Sequence, residues 1–200
     1  AVYEGVDTIA DMAKSLSDFF RYSIQSKKPL VQLKEEFHIV DSYIKIQNYR
    51  FHDKYKIELA LDEDTLLNAG IPRLTLQPLV ENALLHGLHN SINPVEIVKI
   101  SAYRTQKRLV ITVSDRGCGI PDKALDAMNQ SLSQPLAVNV LRVSTSKSIG
   151  LNNINERIKL HYGNEYGIKL YSALNYGTTV ELSLPVSQPR DAVSQNHHEN

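Results

Sequence analysis

Cysteine is almost absent from this sequence. The single residue, Cys118, rules out an intramolecular disulfide and a zinc site built from several thiolates, and it fits a reducing compartment. Neither sign of charge is in excess, with 22 Lys plus Arg against 22 Asp plus Glu. That balance provides no basic field for nucleic acid and none of the acidic excess of a disordered tail. No apolar run approaches the roughly 20 residues that cross a bilayer, and no secretory leader is visible. An initiator Met is missing too, and the chain opens inside a helical pattern. It therefore reads as a piece of a longer protein, the soluble part if that protein is membrane-bound. Its 200 residues suit one ordinary domain with an extension, or two small domains.

Two long amphipathic helices come first. Val2, Val6, Ile9, Met12, Leu16, Phe19 and Phe20 recur at helical spacing before Pro29. Leu33 to Phe51 repeats the pattern through Phe37, Val40 and Ile44. A short turn at Lys28-Pro29 makes the pair a helical hairpin, and the first helix needs a partner for its narrow stripe, in its own domain or in a second copy. Glu35, Glu36, Lys45 and Arg50 read as a solvated face, with the carboxylates placed to suit the second helix's N-terminus.

The period then changes to two. Tyr55–Leu61, Val95–Tyr103, Arg108–Ser114, Tyr166–Ser172 and Thr178–Leu184 read as strands, and Thr105–Lys107 and Asn175–Gly177 as hairpin turns. Helices are expected over Leu76–Gly87, from Asp122 to about Met128, and from Ser148 through Leu160. Residues 129–148 lack a period and read as a long loop of the kind that is usually functional. Val186–Asn200 reads as a disordered tail. The order predicts an α+β fold: a two-layer α/β sandwich, a mixed sheet with helices on one face, preceded by the helical hairpin.

Three short features carry chemistry. Asn82 and His86 lie on the helix Leu76–Gly87; Asp115-x-Gly117-x-Gly119 follows a strand; Ser148-Ile149-Gly150-Leu151 opens a helix. Each has an ordinary alternative: a satisfied structural amide, plain turn chemistry, a loop-to-helix junction. Together their roles are complementary. Asp115 accepts hydrogen bonds from a ligand amino group, and the two glycines admit a planar ring close to the backbone. Free N–H groups around Gly150 suit phosphate. An amide oxygen at Asn82 suits Mg²⁺, which takes few protein ligands and phosphate oxygens for the rest. The set describes a Mg-nucleotide site, with the polar stretch before Ser148 in the place of a lid.

The order and spacing resemble the nucleotide-binding domain shared by sensor histidine kinases, gyrase, Hsp90 and MutL, and within it the LytS/YesM type of bacterial sensor histidine kinase. Ser17-Asp18-Phe19-Phe20-Arg21-Tyr22-Ser23, Leu33-Lys34-Glu35-Glu36 and Tyr43–Phe51 carry the resemblance. So do Ile71–Ala83 with its Leu-Gln-Pro-Leu-Val-Glu-Asn-Ala run, Gly150–Arg157 and Gly177-Thr178. It spans about residues 16–185. The resemblance implies that Asn82 holds Mg²⁺ and phosphate and that Asp115 binds the adenine amino group with Thr178 nearby. It implies that Gly117, Gly119 and Ile120 line the adenine pocket, and that His86, Ile149, Gly150 and Leu151 adjoin the phosphates. ATP and Mg²⁺ are the implied cofactors, and Glu81 is a candidate to polarise a phosphate acceptor. The implied reaction is transfer of the γ-phosphoryl group to a histidine of the dimerisation helices and then to a response-regulator aspartate.

It also implies a division into residues 1–53, partial dimerisation and phosphotransfer helices; 54–186, the ATP-binding catalytic domain; and 187–200, the tail. The implied partners are a response regulator and a second copy through the N-terminal helices, with a membrane reached only through a missing N-terminal part. The expected location is the cytoplasmic side of a bacterial plasma membrane. The sequence departs from the type in places. Arg116 stands where Asn is common, Leu85 where Lys is common, and Gly150 where many members have two glycines. The alternatives are an ATP hydrolase of the superfamily and a non-catalytic nucleotide-binding module: Pro78, where such hydrolases place a general-base Glu, argues against the first, and Leu85 with the single glycine keeps the second open. None of the seven histidines stands in the Pro-His-Phe context of the acceptor, so this chain is expected to bind ATP without phosphorylating itself at the usual site.

Overall fold

The structure is a computed structural model that describes residues 2–25, 28–87, 95–136 and 149–186. Helix α1 (Val2–Gln25) and helix α2 (Leu33–Phe51) form the hairpin, with strand β1 (Leu30–Gln32) at its turn. Strands β2 (Tyr55–Leu61) and β3 (Gly70–Pro72) follow, joined through a 3₁₀ turn at Asp64–Asn68. Next come α3 (Leu76–Asn82), β4 (Glu96–Arg104), β5 (Arg108–Ser114) and α4 (Asp122–Ser133). Helix α5 (Ile149–Tyr162), β6 (Gly167–Ala173) and β7 (Gly177–Pro185) complete the described chain.

Five strands form one sheet in the order β2-β4-β5-β7-β6, parallel between β2 and β4 and antiparallel elsewhere. The mixed sheet with helices packed on one face is the architecture that the residue pattern implies. Alternation explains which face is covered. Val98 and Ile100 of β4, Ile111 and Val113 of β5, Val180 and Leu182 of β7, and Leu170 of β6 all point to the helices and are buried. Leu76, Leu79 and Val80 of α3 and Ile154 and Ile158 of α5 pack onto them, and Val40, Tyr43 and Ile44 of α2 belong to the same continuous core. The hairpin's second helix is thus built into the core, and α1 packs on the outside of α2.

Three asparagines tie helices to sheet edges. Asn48 of α2 pairs with both peptide groups of Tyr55, at 2.7 Å each. Asn129 of α4 does the same for Leu170, at 2.9 Å each, and Asn155 of α5 accepts from Ile168 and donates to Leu132. These side chains imitate a neighbouring strand.

Several elements differ from the expectation. α4 runs on to Ser133, where a loop is expected from residue 129. Its inward face there is Asn129 and the buried Leu132, and one of these is polar because its partner is backbone. The expected helix Leu76–Gly87 is α-helical only to Asn82 and continues as a π turn over Ala83–Gly87. β1 and β3 pair with each other, Leu30 opposite Pro72, in a two-stranded sheet of its own. Glu36 does not belong to the solvated face: it is fully buried, because it serves the start of α3. The expected loop around 90–94, the lid region from 137 to 148, and the tail 187–200 lie outside the described residues.

Candidate nucleotide site

The core rows of the sheet end in polar groups. Val113 faces Val180, and Val180 faces Leu170 across β5, β7 and β6. One step further along, on the same helix-covered face, stand Asp115, Thr178 and Ser172. The Asp115 backbone N–H donates to the Thr178 carbonyl (2.9 Å), which carries the β5–β7 pairing one residue beyond the strand. Ser172 Oγ donates to the Gly177 carbonyl (2.6 Å) and accepts from the Ile120 N–H (2.9 Å). It lies 3.0 Å from Thr178 Oγ1, whose hydroxyl is then the donor of that pair.

Asp115 is folded back on the glycine turn, its Oδ1 accepting from the Gly117 N–H at 2.8 Å. Burial pushes its carboxyl above the usual carboxylate range, against the pull of the backbone N–H groups of Gly117 and Thr178. Two glycines let the segments approach. A Cβ on Gly119 (φ +68°) would lie 2.7 Å from the Ala173 carbonyl carbon. One on Gly177 (φ +97°) would lie 2.8 Å from Arg116 Cα and nearer still to the Asp115 carbonyl oxygen. No L side chain fits either place without moving backbone.

The second cluster lies where α3 meets α5. Asn82 ends α3, and its amide nitrogen would be 3.9 Å from a Cβ built on Gly150, in the first turn of α5. The side chain and the glycine N-terminus therefore face one another across a gap that any larger residue at 150 would start to fill. The π turn after Asn82 packs against β7, the strand that begins with Gly177-Thr178, and so links this cluster to the first. Leu151 is partly buried against the core. Glu81 points elsewhere: it accepts weakly from Gln77 (3.4 Å) on its own helix and lies near Tyr43 of α2. Tyr43's phenol is pushed up to about 12, by burial first and then by Glu81. His86 has its backbone in the π turn and Ile149 opens α5, but their side chains lie outside what the structure describes. Leu85 is exposed at 52 %, and Arg116 is exposed.

Sequence reasoning brought Asp115, Gly117, Gly119, Ile120 and Thr178 to one place, and Asn82 and Gly150 to another. It passed over Ser172 and gave Gly177 no role in the site. The signal for both was present, since pairing the two strands about the Asn175–Gly177 turn sets Ser172 opposite Thr178.

Residues 70–188 match the family of histidine kinase-, DNA gyrase B- and HSP90-like ATPases, and residues 1–55 match a histidine kinase family. The chain belongs to the histidine kinase-, DNA gyrase B- and HSP90-like ATPase family. That membership makes ATP the nucleotide this fold handles. Among curated relatives of this ATPase-family chain, the sensor histidine kinase YesM of Bacillus subtilis (strain 168) is 35 % identical over 177 residues, 88 % of this chain and 28 % of that protein. The sensor protein kinase HptS of Staphylococcus aureus (strain USA300) is 29 % identical over 88 % of this chain and 32 % of its own length. The chain thus spans about a third of the relatives it matches. The histidine kinase domain of the Erythrobacter litoralis EL346 blue-light activated histidine kinase superposes with a TM-score of 0.52 at 18 % identity, covering 90 % of this chain and 76 % of that one. The catalytic domain of histidine kinase ThkA gives 0.52 at 15 % identity, covering 78 % and 94 %. Both show the fold.

Proposed function

We propose that this chain is the ATP-binding catalytic part of a two-component sensor histidine kinase, with Asn82 and Asp115 at the two ends of its nucleotide. The observation that carries the reading is the approach of Asn82 to Gly150 beside a strand that begins at Gly177-Thr178. Asp115 reads the adenine amino group, flanked by Gly117, Gly119, Ile120 and Thr178. The first turn of α5, from Ile149 through Leu151, offers its free N–H groups to the phosphates, with His86 adjacent. Among the described residues there is no cluster of three His, Cys, Asp or Glu side chains, so a cage made of protein alone is not what this site offers. One amide oxygen, with phosphate oxygens and water completing an octahedron, fits Mg²⁺. When bound, the ion would neutralise charge on the phosphates during transfer. Glu81, turned toward α2, would face an acceptor arriving from the helical hairpin.

Residues 1–53 would be dimerisation and phosphotransfer helices, 54–186 the catalytic domain and 187–200 a tail. α1 supports self-association: Ile9, Leu16, Phe20 and Ile24 are exposed large hydrophobics along it. A response-regulator aspartate would receive the phosphoryl group. No helix among the described residues is long and apolar enough to cross a membrane. We place the chain on the cytoplasmic side of a bacterial membrane, attached through sequence outside it. Radiolabelled ATP is the test, offered to this chain and to one extended N-terminally through an acceptor histidine. Acid-labile label on the extended form alone supports the kinase. Phosphate release without labelled protein would replace it with a hydrolase, which Pro78 at the base position already disfavours. Asn82→Asp should remove measurable affinity for a Mg-bound, non-hydrolysable ATP analogue; unchanged titration would sink the assignment.

A further inference from the structure

Glu36 is a carboxylate with no exposed surface. Its Oε1 accepts from the Leu74 N–H (2.6 Å) and its Oε2 from those of Thr75 and Leu76 (2.8 Å each). The Tyr22 hydroxyl of α1 donates to Oε1. Four donors match the four lone-pair sites of a carboxylate, which is what a buried charge requires. The three N–H groups lie at and just before the first turn of α3, which has no cap of its own. Thr75, the residue at the cap position, makes no capping bond and gives its hydroxyl to the Pro72 carbonyl. A local Ser or Thr cap would satisfy the same groups without reference to another helix. Here the start of α3 is set by α2, 40 residues away in sequence for Leu76.

The same loop is held from its other side. Arg157 of α5 donates to the carbonyls of Arg73 and Leu74. Leu74 sits at φ +56°, a backbone conformation that a leucine keeps only where its surroundings impose it. Arg73 lies over the ring of Tyr22, 4.7 Å from its centre. One loop is therefore gripped by α2 through its N–H groups and by α5 through its C=O groups, and α1 reaches it through Tyr22. α3 ends in Asn82 and α5 begins beside Gly150.

We propose that Glu36 is a positioning residue that sets Asn82 against Gly150, and that Tyr22 is the contact through which α1 adjusts that setting. This rests on the assignment of Asn82 and Gly150 to the phosphate end of the nucleotide. Burial and the neighbouring Glu36 raise the Tyr22 phenol, so the hydroxyl stays a donor. The consequence is selective. A shift of α3 weakens the grip on phosphate and metal, and leaves the adenine end, which is built on the sheet, as it was.

The test titrates the 200-residue chain with the Mg-bound ATP analogue and separately with adenosine. Glu36→Gln puts an amide N–H against the backbone donors. It should weaken the Mg-bound analogue about tenfold, roughly 1.4 kcal/mol, and change adenosine by less than twofold. Tyr22→Phe keeps the carboxylate and should give a smaller loss, about threefold, with the same selectivity; it carries the test alone if the Gln variant does not fold. Equal weakening of both ligands, or no change in either, overturns the proposal. Asn82→Asp separates the two claims. If it is impaired while Glu36→Gln and Tyr22→Phe bind normally, only the positioning role falls. If it binds normally, the site assignment falls and takes this proposal with it.

Discussion

Gly177 and Gly163 form a controlled pair. Both have φ near +100°, at +97° and +106°. An alanine at either incurs the backbone strain of left-handed space, about 1–2 kcal/mol for a residue with a Cβ. They differ in what the Cβ meets. At Gly163, just past α5, the three nearest atoms all belong to the Glu165 side chain, which can swing away. At Gly177 it meets the backbone of Asp115 and Arg116. Relief there has to separate β7 from the segment after β5, and overpacking of that kind adds about 1–3 kcal/mol. Gly163→Ala should thus lose about 1–2 kcal/mol in a urea melt and Gly177→Ala about 2–5 kcal/mol, the sum of the two terms. Nucleotide titration should divide them further. Gly177→Ala displaces Asp115 and should cost at least tenfold in ATP-analogue affinity, whereas Gly163→Ala should bind normally. Equal melts, or a Gly177→Ala chain with unaltered affinity, would refute the reasoning.

Asp115→Asn should raise the stability of the ligand-free chain at neutral pH while lowering affinity for adenine nucleotides. Because burial raises the folded-state pKa, the cost of holding the charge is present at neutral pH. It is relieved progressively as pH falls from that raised pKa toward the ordinary carboxylate value of the unfolded chain, so the two melts should converge only once the pH is below that ordinary value; a constant difference would contradict this. Asn129→Ala should cost about 1–3 kcal/mol in denaturant, since it strips two bonds from Leu170, while the exposed Gln130→Ala nearby should be neutral. Phe20→Glu on α1 should weaken self-association in sedimentation without lowering the melting temperature, because Phe20 is 52 % exposed.

Residues whose partners are near in sequence were legible. The strands Tyr55–Leu61 and Arg108–Ser114 begin and end where period-two alternation does, and α2 where its apolar spacing does. What escaped depends on distant partners. β1 and β3 have three residues each, too few to show a period, and Val31 of one finds Ile71 of the other far along the chain. Asn129 looks like loop chemistry until Leu170 is known to lie beside it. Glu36 looks like one more surface charge among Glu35, Lys45 and Arg50, and nothing local says that its partners begin at Leu74. In the site the same holds. Asp115 and the two following glycines advertise themselves, whereas Ser172 acquires meaning only from the register of β6 with β7.

The asparagines on the sheet edges have a consequence for assembly. An edge strand with unoccupied peptide groups is an open template for extending a sheet from one molecule to the next. Asn129 occupies both groups at Leu170 and Asn48 both at Tyr55, and Asn155 occupies the N–H of Ile168. At those residues the edge is no longer an open template. A strand from a second copy could add at these positions only by first displacing the asparagine side chains.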